Sequence, residues 1–136
     1  MLDASAIAAW SLPSQHSAAA DQLLRDARQH RFLAPNIFAV EVRSLYLAAE
    51  RRGGWTIADT ELALSGIEEL DLSIIRMDDV VELRSVMGAA RGERLSMYDA
   101  IYLRLAESEG AILASRDKPL LAAARRRSLQ TLDLNS

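Results

Sequence analysis

The sequence predicts an α/β domain, a central parallel β-sheet flanked by helices on both faces in a three-layer, Rossmann-like arrangement. Short apolar segments alternate along the chain with longer stretches of helical periodicity. One of those segments, Ala111-Ile112-Leu113-Ala114-Ser115, is apolar at successive positions, the pattern of a strand covered on both faces. The 136 residues are 50% hydrophobic and contain no cysteine, and they show neither a repeat nor a Pro/Gly/Ser-rich linker. One domain over 1–136 with an ordinary core is therefore expected.

The elements follow in order. Met1-Leu2 ends a short first strand, and Ala4 to Leu12 reads as a helix stopped by Pro13. His16 to His30 places Ala19, Ala20, Leu23, Leu24 and Ala27 on one helical face. Arg31 to Ala34 is a strand stopped by Pro35, and Asn36 is read as the cap of a helix that reaches Arg52 and ends at Gly53-Gly54. A helix from Thr56 to Glu69 follows, then a strand from Leu70 to Met77. Asp78 to Ala90 returns to helical spacing and is closed by Gly92. Ser96 opens a helix that runs to Glu109 and stops at Gly110. The apolar strand comes next, Asp117 begins the last helix, and Leu129 to Leu134 is the final strand.

Composition removes several functions. Without cysteine there is no thiol nucleophile, disulfide scaffold or thiolate zinc site. The net charge of −3, from 16 basic and 19 acidic side chains, includes no basic tail. Ala4 to Ala20 is the longest uncharged stretch, too short and too polar to span a bilayer, and no positive segment precedes it as in a secretory leader. A cytoplasmic protein with no membrane partner is the expectation. Aromatic residues make up 5% of the chain, too few for a base-stacking platform.

Four carboxylates stand out by position: Asp3 after the first strand, Glu41 within a helix, Asp99 in a first helical turn and Asp117 just past a strand. Each also has a structural reading. Asp3 can cap the helix that follows it, Ser96-x-x-Asp99 is a capping box, and Asp117 with Pro119 is a helix start. Glu41 falls within the apolar stripe of Phe38, Val42, Leu45, Ala48 and Ala49, where a carboxylate needs compensation, either from an arginine or from a metal or pocket role. If the first strand neighbours Ala111–Ser115, all four acids reach the carboxyl edge of the sheet, where α/β folds place their sites. Crowded carboxylates fit a hard divalent cation, Mg²⁺ or Mn²⁺, and such centres serve phosphoryl chemistry.

The segments Leu2-Asp3-Ala4-Ser5, Ala34-Pro35 through Val40-Glu41-Val42, Tyr98-Asp99-Ala100-Ile101-Tyr102-Leu103 and Ile112-Leu113-Ala114-Ser115-Arg116-Asp117 resemble the PIN-domain nucleases, especially the small VapC-type toxins of bacterial toxin–antitoxin pairs. The resemblance covers nearly the whole chain. It implies metal-dependent endonucleolytic cleavage of RNA, a homodimer, and a cognate antitoxin protein that blocks the toxin. Carried over by position, it makes Asp3, Glu41, Asp99 and Asp117 the catalytic, metal-binding acids, with Ser5 and Ser115 as supporting hydroxyls. In such a centre bound metal would lower the pKa of a water that attacks the phosphodiester. Two features depart from the family pattern: only two residues precede Asp3, and Ser115 stands where threonine is commoner.

Arg116 and Lys118, which flank Asp117, are the nearest candidates for contacts to substrate phosphate, whereas Arg125 to Arg127 reads equally as a solvated face. His16 and His30 have no companion at metal-ligand spacing. The competing reading is a PIN-like module that docks a protein without catalysis. A receiver-type phospho-acceptor fits less well, because Asp3 has no acidic neighbour and the only lysine is Lys118.

Overall fold

The computed structural model describes residues 1–136. Two parallel strand pairs form the sheet. β1 (Phe32–Pro35) pairs with β2 (Leu72–Ile75) in the register Phe32 to Leu72, and β3 (Leu113–Ser115) pairs with β4 (Thr131–Asp133) in the register Leu113 to Thr131. The chain's first residues join the pairs. The Leu2 N–H donates to Leu33 O at 2.9 Å, the Ala114 N–H donates to Met1 O at 2.9 Å, and Leu2 forms a parallel bridge with Ala114. The expected first strand is thus one bridge, lying between β1 and β3, and its parallel pairing puts Asp3 at the same edge as the carboxyl end of β3.

Seven α-helices pack about this sheet. α1 (Ala4–Ser11) is the most buried at its start, where Ala4, Ala6, Ile7, Ala8 and Ala9 are all in the core. The chain then makes a 3₁₀ turn at Pro13–Gln15 before α2 (Ala18–Arg25). The helix expected from His16 to His30 is shorter than its apolar period suggested. Ser17 caps it by accepting the Ala20 N–H, and at its end the chain tightens into a 3₁₀ turn at Ala27–Gln29. His16 stays outside α2 and pairs with Asp21 at 2.8 Å.

α3 (Phe38–Arg52) buries Phe38, Val42, Tyr46 and Ala49, a stripe at helical spacing whose larger side chains contribute roughly 1.5–3 kcal/mol each. Asn36 is not its cap. Its side-chain oxygen accepts the Met77 N–H at 3.0 Å and its own N–H donates to Ile75 O, so it fastens the β1 and β2 ends together. Gly53 ends α3 at φ 88°, a conformation that costs other residues strain.

α4 (Ile57–Glu68) starts with a complete capping box, Thr56 and Asp59 bonding each other's backbone N–H. α5 (Val80–Glu93) is capped by Asp79 and passes through Gly92, which does not close it. Arg94 ends it instead, in the left-handed conformation at φ 56°, because the Leu95 N–H turns back to Ala90 O and brings Leu95 against the core. α6 (Met97–Glu109) is the central helix, burying Ala100, Ile101, Tyr102, Leu103, Leu105 and Ala106, and it ends at left-handed Gly110 as expected. α7 (Lys118–Arg126) follows β3 and buries Leu120, Leu121, Ala123 and Ala124.

Behind the sheet edge an ion-pair network ties α5, α6 and α7. Glu93 pairs with Arg126 at 2.7 Å and Arg127 at 3.1 Å, and Glu107 pairs with Arg127 at 3.0 Å and Arg104 at 3.1 Å. Arg125 bonds the Thr131 hydroxyl at 3.1 Å. The basic run is therefore occupied in fastening the carboxyl-terminal helix.

Candidate metal centre

Asp3 is 5% exposed at the start of α1. Its Oδ1 accepts the Ser5 hydroxyl at 2.6 Å and the Ala6 N–H at 3.3 Å, and its Oδ2 accepts the Ser115 hydroxyl at 2.6 Å. Asp3 thus caps the helix and at the same time lines the cleft. Ser115, fully buried at the end of β3, also accepts the Asp117 N–H at 2.9 Å. Ser5 in turn accepts the Arg116 N–H at 2.8 Å. The two serines lock the strand end and the α1 start into one hydrogen-bonded unit.

Asp117 caps α7 by accepting the Leu120 N–H at 2.8 Å. At α6 the Ser96 hydroxyl accepts the Asp99 N–H at 3.1 Å, but Asp99 makes no return bond to the Ser96 backbone. Its carboxylate is left for the cleft. Glu41, in the first turn of α3, has no arginine partner; its Oε1 accepts the Tyr102 hydroxyl at 2.8 Å. Tyr102 is the compensation that its place in an apolar stripe requires.

These four acids line one cleft of about 520 Å³ together with Ser5, Gln15, Ser44, Tyr98 and Tyr102, over an apolar floor that includes Ala8 and Leu45. No lysine, arginine or histidine lines it. Arg116 turns its guanidinium onto Gln15 Oε1 at 2.7 Å, and Lys118 is exposed beyond the cleft. The structure thus brings together Asp3, Ser5, Glu41, Asp99 and Asp117, seats Ser115 directly behind Asp3, and leaves Arg116 and Lys118 outside the lining.

Burial first, and the crowding of like charges second, raise the acids. Burial, then Asp117, Asp3 and Glu41, push the Asp99 carboxyl up to about 6. Burial raises Asp3, against the pull of the Ser115 and Ser5 hydroxyls, and it raises Glu41 against the Tyr102 bond. Tyr102 is pushed far above the ordinary phenol range by burial and by the Glu41 carboxylate it donates to.

The donor set is one of hard oxygens, which suits Mg²⁺ or Mn²⁺ and not a soft metal. As the side chains stand, no three acids gather into a ready-made coordination shell. The fit is one of chemistry and charge: four acids, no facing cation, and one carboxyl pushed up to about 6.

Residues 1–126 match the PIN domain family. The chain belongs to that family. PIN domains are a nuclease-type fold, generally dependent on divalent metal ions. No curated protein matches the sequence. Among solved structures, this PIN domain is similar to the crystal structure of PAE2754 from Pyrobaculum aerophilum, with a TM-score of 0.67 and 23% identity over 96% of this chain and 87% of that one. At that identity the likeness is one of fold. No helix is long and apolar enough to cross a membrane.

Gln15, Ser44, Tyr98 and Tyr102 are the polar cleft residues to which sequence reasoning gave no role. Tyr102 carried a readable signal, being three residues after Asp99 on the face of α6 that meets the stripe of Glu41. Gln15 carried none, since a lone glutamine in the turn Pro13-Ser14-Gln15 matches no motif.

Proposed function

We propose that the chain is a metal-dependent endoribonuclease, the toxin of a type II toxin–antitoxin pair, using Mg²⁺ or Mn²⁺. The observation that carries the reading is the cleft lined by Asp3, Glu41, Asp99 and Asp117 with no basic side chain among its walls. Asp3, Glu41 and Asp99 would hold the ion, with Asp117 beside them. When bound, the ion supplies a Lewis acid for phosphate and an acidified water.

The chain's own residues supply order. Ser115 and Ser5 fix both oxygens of Asp3, Tyr102 fixes one oxygen of Glu41, and the short Ser115 bridge ties Asp3 to the Asp117 backbone. Preset carboxylates cost less to organise when the substrate arrives. The apolar floor excludes water from one side of the cleft.

The cognate antitoxin is part of the same reading. What supports it is a second cleft, of about 380 Å³, between α1, α2 and α4, whose walls include Trp10, Leu24, Trp55 and Leu62. Leu62 is 76% exposed there, an apolar surface suited to an amphipathic helix. A homodimer and a cytoplasmic setting belong to the proposal as well. The alternative is a PIN-like protein-docking module without catalysis, for which the apolar cleft beside Trp10 and Leu62 would suffice.

Incubation of the purified protein with bulk RNA and Mn²⁺ or Mg²⁺ decides between them. Cleavage that EDTA abolishes and that Asp99→Asn lacks supports the nuclease. An Asp99→Asn variant as active as wild type refutes the assignment, and no cleavage with either ion favours the docking module.

A further inference from the structure

We propose that Gln15 is a substrate contact of the acidic cleft, its amide N–H donating to a non-bridging oxygen of the nucleic-acid backbone, and that Arg116 is the positioning residue that aims it. This rests on the nuclease reading above.

The geometry begins with the amide. Arg116 Nη1 lies 2.7 Å from Gln15 Oε1. A guanidinium has only donors, so the carbonyl oxygen of Gln15 must face it and the NH₂ must be the opposite end. That NH₂ makes no hydrogen bond within the protein, although Gln15 is half-buried and lines the cleft. Its partner is therefore sought in the cleft.

The cleft needs such a group. A polyanionic backbone entering between four carboxylates meets like charge, and no lysine, arginine or histidine lines the walls. The hydroxyls of Ser5 and Tyr102 are already given to Asp3 and Glu41; of the remaining donors in the lining, Ser44, Tyr98 and Gln15, only Gln15 is held in place by another side chain. Gln15 is a neutral donor whose orientation is fixed from behind, which binds phosphate without competing with a cation for the acids. Phosphate contacts of this kind set register and carry no base specificity.

Arg116 is itself held for this purpose. Its N–H donates to Ser5 Oγ at 2.8 Å and its carbonyl accepts the Asn135 side chain at 3.0 Å, so both sides of its backbone are pinned. Its Nε is buried without a partner. Buried polar groups are rarely left so, and here the guanidinium stays on Gln15 at that cost.

The test compares wild type, Gln15→Met and Arg116→Ala by initial rates of bulk-RNA cleavage in Mn²⁺, with melting temperatures measured with and without Mn²⁺. Gln15→Met keeps the length of the side chain and loses the donor without adding a charge to the cleft. Its KM is expected to rise about tenfold, the worth of one hydrogen bond to a charged oxygen, with kcat within about threefold. Arg116→Ala frees the amide and is expected to raise KM by a smaller factor. Both variants are expected to keep the Mn²⁺-dependent rise in melting temperature. A Gln15→Met KM equal to wild type, a loss confined to kcat, or loss of the Mn²⁺-dependent rise overturns the proposal alone. No cleavage by wild type overturns it together with the nuclease reading.

Discussion

Replacing Asp99 with Asn stabilises the metal-free protein while destroying the centre. Asp99 titrates near 6 in the fold against 3.8 when unperturbed. At about 1.4 kcal/mol per pH unit that is roughly 3 kcal/mol, which solvent screening at a half-exposed carboxylate reduces to about 1–2 kcal/mol. The substitution also removes a negative charge from the first turn of α6, whose dipole favours it by about 0.5 kcal/mol. Relief of the buried charge and of its repulsion from Asp117 and Asp3 wins, leaving a net gain of about 1 kcal/mol. For 136 residues, with an unfolding entropy of about 2.1 cal/mol/K per residue, this raises Tm by about 3–4 °C.

The sign with pH follows from the direction of the shift. A folded pKa above the unfolded one means that the neutral form's stability is present in full below about 3.8 and is lost as pH rises through about 6. Wild type therefore loses this contribution between pH 4 and 6.5 and Asp99→Asn does not. Melts followed by circular dichroism in EDTA at pH 4 and pH 7.5 measure the difference. A variant that melts below wild type at pH 7.5, or a difference equal at both pH values, refutes the picture of uncompensated charge.

Mn²⁺ at about a hundredfold excess over its dissociation constant stabilises wild type by about 2.7 kcal/mol, a Tm rise of about 9 °C that Asp99→Asn lacks in the same scan. Ser115→Ala strips a buried donor from Asp3 and an acceptor from the Asp117 N–H, so urea unfolding shows a loss of about 2–4 kcal/mol and RNA cleavage falls with it. Tyr102→Phe removes the bond that favours charged Glu41, costing about 1–2 kcal/mol at pH 7.5 and less at pH 4, where Glu41 is protonated; paired melts show the contrast. Arg127→Ala breaks the links to Glu93 and Glu107 and lowers stability by about 1 kcal/mol in denaturant titrations, less at high salt.

The alternation of short apolar runs with helical periods was enough to read the parallel sheet and every helix, because those periods report which faces are buried. Boundaries were legible only where local chemistry decides them. Thr56, Ser96 and Gly110 act as their types suggest, whereas Gly92 is overruled by the packing of Leu95 and the turn falls on Arg94. Asn36 has the chemistry of a cap but spends it across the sheet on Met77, a partner 41 positions away that no local pattern marks. The acids were legible because each stands beside a strand end or helix start. The tethering of Arg116 to Gln15 was not, since it depends on a contact spanning 101 positions.

The bridge between Leu2 and Ala114 also fixes when the centre can exist. Asp3 and Ser115 are 112 positions apart, so the acid at one end of the chain acquires its partners only after the other end has come home. Closing so long a loop is slow and entropically costly, and no local fragment rehearses it. During synthesis an amino-terminal segment, however well its helices form, carries Asp3 and Glu41 without Asp117 or Ser115. The four-acid cleft is thereby assembled only once both distant segments are in place.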